Sequence, residues 1–254
     1  MEWGDLRRVT PVNSAFGFDR GLPIDRYYIE RFLSGHSADI RGRVLEIGDP
    51  YYTRKFGGDR VRKSDVLHVV PGNPKATLVA DLTRADSIPS DTFNCIIFTQ
   101  TLQMIFDLRE ALRHVHRILK PGGALLATSH GISKIARRED VDPWGEYWRL
   151  TTQSARRLFQ DIFSPPQVTV EMYGNVLAAI AFLHGMTAEE MDREELDYTD
   201  PNYEVLITVR AVKPDPSVSR QRDTAEAKAP LDRLENLSPE RRALLALRLG
   251  KKGE

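Results

Sequence analysis

Residues 44–48, Val-Leu-Glu-Ile-Gly, constrain this chain more than any other stretch. An apolar strand closed by an acid and a glycine is how a doubly wound α/β domain opens a nucleotide site. The glycine gives the backbone freedom to turn and to come close to a ligand. The run then continues Asp49-Pro50-Tyr51-Tyr52, which is bulky where such loops are usually small.

The rest of the chain supplies partners for that strand in α/β order. Pro23 opens a helical pattern that puts Ile24, Tyr28, Ile29 and Phe32 on one side, and Gly35 ends it. Strands are predicted at 44–47, 66–70, 76–80, 93–99, 124–128, 168–173 and 203–212. Between the fourth and fifth, Asp107 can cap a helix to Leu119 with Leu108, Ala111, Leu112, Val115 and Ile118 as one apolar stripe. A further helix starts near Thr152, and residues 174–186 are apolar nearly all round, as for a buried or interface helix. Thr187 to Glu190 has the pattern of a capping box. Strands alternating with helices over short connections predict a mostly parallel sheet with helices on both faces, a three-layer sandwich. Its ligand crevice is expected at the carboxyl ends of the first and fourth strands.

Charge narrows the function. Lys+Arg and Asp+Glu number 36 each, so the net charge is zero, which argues against a dedicated nucleic-acid binder. The single cysteine, Cys95, sits in an apolar run and reads as a buried small hydrophobe. The first ten residues have no apolar signal core, and the longest apolar run, 176–183, is far short of the ~20 residues of a membrane span. The expected setting is the cytoplasm, with no membrane contact. The six histidines form no metal set; His114 and His116, two apart on a helix, point to different sides.

Three segments resemble the class I S-adenosylmethionine-dependent methyltransferases. They are residues 44–48, the run from Val79-Ala80-Asp81-Leu82 through Ile97, and the stretch 112–123 ending Arg117-Ile118-Leu119-Lys120-Pro121-Gly122-Gly123. The last is the most specific, since family members reach strand five through an Arg-x-Leu-Lys-Pro-Gly-Gly turn. The resemblance spans roughly residues 40–130 and by analogy extends to 212. It implies a Rossmann-like, seven-stranded sheet whose last strand, at 203–212, is antiparallel. It also implies S-adenosylmethionine as cofactor. Glu46 and Gly48 match the residues that hold the methionine end, Asp81 with Leu82 those that meet the adenine, and Thr99-Gln100 those that line the methyl-donor site.

The chain departs from the family at two places. Pro50 and Tyr52 stand where the second and third loop glycines belong, and Pro50 also lacks an N–H donor. No acid follows strand two to grip the ribose; Asn73 or Asp49 is the candidate replacement. His130, just past strand five, reads either as a base beside the acceptor or as a solvated loop histidine. The aromatic stretch 142–149 and the segment 18–21 with Tyr27 and Tyr28 are candidates to close the site mouth, or simply to pack on the sheet.

The expected organisation is an N-terminal cap segment (1–35), a methyltransferase-like domain (36–212), a flexible linker (213–236) and a short amphipathic helix (237–254). That helix, led by Leu237-Ser238-Pro239-Glu240, resembles the leader of nonribosomal peptide synthetase condensation domains, which suggests natural-product tailoring and secondary metabolism. The favoured activity is methyl transfer to a small-molecule or carrier-tethered acceptor. The rival is a catalytically silent, methyltransferase-like scaffold, and another nucleotide-binding α/β protein such as an oxidoreductase is a third reading. A homodimer or docking partner is expected through 174–186 or 237–249.

Overall fold

A computed structural model describes residues 7–136 and 145–217. The chain divides into two units, Met1–Lys213 and Pro214–Glu254. In the second, Asp215 Oδ1 accepts hydrogen bonds from the backbone N–H (2.9 Å) and hydroxyl (2.7 Å) of Ser217. The helix and docking segment expected at 237–254 lie outside the described residues.

The first unit is built on seven strands: β1 (Gly42–Ile47), β2 (Val61–His68), β3 (Leu78–Val79), β4 (Phe93–Thr99), β5 (Leu119–His130), β6 (Val168–Tyr173) and β7 (Leu206–Val212). They lie side by side in the order β3-β2-β1-β4-β5-β7-β6. β1 to β5 pair in parallel, and β7 runs antiparallel to both β5 and β6. The sheet is the expected seven-stranded, mostly parallel one. Strand order reverses between β1 and β4, so their carboxyl ends flank a crevice no crossover helix covers.

Both faces of the sheet are buried, as alternation along the central strands requires. Leu45, Ile96 and Phe98 point into one core with α2 (Leu108–Ile118) and α3 (Thr152–Phe163). Val44, Cys95 and Ile97 point into the other with α1 (Ile24–Gly35) and α4 (Val176–His184). Cys95 is fully buried, and burial pushes its thiol pKa up, so it acts as a small hydrophobe. The Asp107 carboxylate caps α2 through the Glu110 N–H at 3.1 Å. Thr187 and Glu190 form the capping box, which leads to a short helix, α5 (Arg193–Asp197).

Several element boundaries differ from the sequence expectation. β2 runs Val61–His68 rather than 66–70. Arg62 and Lys63 in its first half are exposed and Ser64 is polar, so it lacks an apolar signature there, while Val69 and Val70 are solvent-exposed beyond its end. β5 starts at Leu119, opposite Phe93, so the turn residues Pro121 and Gly122 fall within a strand with shifted register. β7 starts at Leu206 rather than 203. Helix α4 is not buried all round: Ala178, Ala179, Ala181 and Phe182 face the core, whereas Val176, Leu177 and Leu183 are exposed. Tyr28 is wholly buried and bonds the Leu196 carbonyl at 3.0 Å, so it belongs to the core and not to a mouth.

Candidate functional site

Glu46, the penultimate residue of β1, has its side chain turned inward and is only 3% exposed. Its two oxygens accept the backbone N–H groups of Tyr52 (3.0 Å) and Thr53 (2.7 Å). Burial raises its pKa to about 7 against the pull of those bonds, which favour the carboxylate. The carboxylate thereby caps the helical segment 51–60 that replaces a long helix after β1.

Gly48 sits at φ +80° and donates its N–H to the Leu67 carbonyl at 2.9 Å. A Cβ at Gly48 would meet no protein atom within 4 Å, so a side chain there would fill the cavity and not strike the fold. Pro50 heads the helical segment, its carbonyl accepting the Arg54 N–H at 3.1 Å. At a first helical position a missing N–H costs nothing. Tyr52 is buried and stacks on Phe56 with ring centroids 6.1 Å apart, while Tyr51 is half exposed beside Lys55. Gly48 keeps the open approach, while a packed aromatic turn stands where the second and third loop glycines would be.

These residues floor a cavity of about 920 Å³ at the carboxyl ends of β1, β2 and β4. That size is at the upper end for small-molecule and cofactor sites. Glu46, Gly48, Asp49, Asp81, Leu82, Thr99 and Gln100, seven of the predicted site residues, line it together. Asp81 Oδ1 accepts from the Thr83 N–H and hydroxyl, both at 2.8 Å, while Leu82 packs into the core behind it. Asp49 pairs with Lys75 across the rim. Gln100 holds a left-handed backbone, φ +50°, with its N–H directed to the Thr128 carbonyl at 3.1 Å. A non-glycine residue in that region is held there by its surroundings. Its amide accepts from Gln103 Nε2 (3.0 Å) and donates to Asp25 (3.4 Å).

Two predicted residues lie elsewhere. Asn73 is not on the cavity wall: its amide donates to the Gly48 carbonyl at 2.7 Å and accepts the Lys75 N–H at 2.9 Å, bracing the loop from behind. His130 is the last residue of β5, not a solvated loop histidine, and is 3% exposed. It lines a separate chamber of about 170 Å³. Burial, reinforced by the charges of Arg149, Arg26 and Lys134, lowers its pKa to about 3, so the imidazole is neutral.

Sequence reasoning missed Arg26 and Glu30 of α1, His68 of β2 and Met104 and Phe106 after β4, all on the large cavity. Pro23 places α1 across the mouth, and only the folded packing shows which of its polar residues turn inward. Phe18, Gly21 and Tyr147, from segments proposed to close the mouth, do line it. Among the described residues no cluster of three or more His, Cys, Asp or Glu could hold a metal, and no helix is long and apolar enough to cross a membrane.

A methyltransferase-domain family model matches residues 26–172. No curated protein sequence matches the chain significantly. Among solved structures, it resembles an S-adenosylmethionine-dependent methyltransferase from Archaeoglobus fulgidus at 13% identity, covering 74% of this chain and 94% of that one, TM-score 0.50. One from Mesorhizobium loti gives 14% identity, 75% and 98% coverage and a TM-score of 0.48. The phosphoethanolamine N-methyltransferase 2 of Haemonchus contortus, in complex with S-adenosyl-L-methionine, gives 13%, 80%, 61% and 0.47. At such identities the likeness is one of fold.

Proposed function

This chain belongs to the methyltransferase-domain family, and we propose that it transfers the methyl group of S-adenosylmethionine to a small-molecule or carrier-tethered acceptor in the cytoplasm. The observation that carries this reading is the convergence of Glu46 and Gly48 from the end of β1, Asp81 from beyond β3 and Gln100 from beyond β4 on one cavity of about 920 Å³. The residues present fit the cofactor: the open space over Gly48 is a cradle that any Cβ would enter.

In this reading Gly48, with Glu46 fixing the loop, receives the methionine end of the cofactor. Asp81 meets the adenine amine over Leu82, and Asp49 stands in for the missing acid beside the ribose. Thr99 and Gln100 line the methyl-donor position. When bound, S-adenosylmethionine would supply an electrophilic methyl carbon with a neutral thioether as the leaving group. The protein's task is to align the two reactants and keep bulk water away, which can supply much of the rate.

The silent-scaffold reading is favoured by one observation, Pro50 and Tyr52 in place of the second and third loop glycines. Titration with S-adenosylhomocysteine, followed by methyl-transfer assays on candidate acceptors, separates the two. Natural-product tailoring and docking through 237–249 extend the proposal. A homodimer would use the exposed Val176, Leu177 and Leu183 of α4.

A further inference from the structure

The wall of the large cavity is electrostatically lopsided. Glu30, Glu46, Asp49, Asp81 and Asp107 line it, and Arg26 of α1 is the only Lys or Arg on it among the described residues. Each of those acids has a partner of its own. Glu30 pairs with Lys55 at 2.6 Å and Asp49 with Lys75. Glu46 takes the N–H groups of Tyr52 and Thr53, Asp81 that of Thr83, and Asp107 that of Glu110.

Arg26 is different. Its guanidinium pairs with no carboxylate among the described residues, although it is partly buried. Its neighbour Asp25 is 5% exposed, burial pushes the Asp25 pKa up, and its carboxyl receives the Gln100 amide at 3.4 Å. What surrounds the guanidinium is aromatic: it stands 5.8 Å from the centre of the Phe18 ring and beside the Tyr52 hydroxyl. A charge drawn partly out of water without a counter-charge is unfavourable until one arrives.

The loop after β1 leaves that task to another element. A helix N-terminus is ordinarily a ready anion site, but here the chain's own Glu46 occupies the one that follows β1. The N–H groups of Gly48, Asp49, Tyr52, Thr53 and Arg54 are all directed to protein oxygens, and Pro50 has none.

We infer that Arg26 is the carboxylate-binding residue of the large cavity, supplying from α1 the donors that this loop spends on itself. A guanidinium fits a planar carboxylate with two parallel N–H bonds. The source of the carboxylate rests on the methyl-transfer reading, which brings two: the amino-acid end of the S-adenosyl cofactor above Gly48, and an acid group on the acceptor.

The test titrates the full chain with two pairs of probes that differ in one carboxylate. S-adenosylhomocysteine is compared with its decarboxylated analogue by calorimetry, and benzoate with benzamide by NMR on the chain saturated with S-adenosylhomocysteine. The wild-type chain is expected to prefer the carboxylate at least tenfold in one pair: the first pair identifies the cofactor as its source, the second the acceptor. Arg26→Gln should erase that preference, and Arg26→Lys, which loses the two-pronged geometry, should reduce it. No preference in either pair, a result that needs no variant to fold, would overturn the inference, as would a preference that survives Arg26→Gln. Failure of S-adenosylhomocysteine to bind the wild-type chain would instead overturn the methyl-transfer reading, and benzoate against benzamide on the free chain would then decide the role of Arg26.

Discussion

The Glu46 carboxylate receives the backbone N–H of Thr53 at 2.7 Å, joining the end of the first strand to the turn that shapes the cavity floor. The contact explains how the loop keeps its form without its second and third glycines: an acid in the strand caps the aromatic helical segment directly. Removing it with Glu46→Ala leaves two buried N–H groups, of Tyr52 and Thr53, without acceptors. We expect a loss of about 2–4 kcal/mol, read by chemical denaturation.

The same residue makes stability depend on pH. Its folded-state pKa of about 7 lies above the ordinary 4.5, so the folded protein holds a proton the unfolded chain releases. The stabilisation is complete below about pH 4.5 and declines as pH rises through 7, by up to about 3 kcal/mol. Thermal unfolding from pH 5 to 8 should show this slope, and Glu46→Gln should flatten it.

Gly48→Ala separates folding from binding. The left-handed backbone costs an alanine about 1–2 kcal/mol, but the methyl group meets no protein atom within 4 Å. A folded variant with S-adenosylhomocysteine affinity at least tenfold weaker is expected, measured by calorimetry beside a melting curve.

Asp65 tests the frame apart from the site. It is 2% exposed and pairs with Arg43 of the neighbouring strand at 2.6 Å. Burial alone would raise its pKa, but the Arg43 guanidinium, with Lys63 and the Thr77 hydroxyl, holds it below the ordinary carboxylate value. That contribution is present above about pH 4 and disappears as pH falls further. Asp65→Ala should cost about 2–4 kcal/mol, leaving cofactor affinity unchanged in the folded protein.

Much of this was legible in the sequence where one signal dominated. The apolar run at β4, the Asp107 cap and stripe of α2, and the alternation of β6 each fixed an element closely, because local preference and burial agree there. β2 was misplaced because Arg62, Lys63 and Ser64 carry no apolar signature; the sheet recruits Lys63 and Ser64 through backbone pairing with Arg43 and Val44 of β1. Seven of the predicted residues share the cavity because strand ends converge by topology. Asn73 did not join them, since its amide is spent on Gly48, and Arg26 and Glu30 were invisible until α1 packed across the mouth. His130 looked like a loop residue because nothing in sequence shows that β5 continues to it.

Asp81→Ala addresses the adenine end. It removes the acceptor for Thr83, a local cap of about 1 kcal/mol, and the carboxylate facing the cavity. S-adenosylhomocysteine affinity should fall at least tenfold while the fold survives, as seen by circular dichroism.

The most direct measurement is calorimetric titration of the wild-type chain with S-adenosylhomocysteine. The account predicts saturable binding at one site per chain, weakened by Gly48→Ala and Asp81→Ala but not by Asp65→Ala. Absence of binding at millimolar ligand by a folded protein would contradict it and leave the silent scaffold as the reading of this fold.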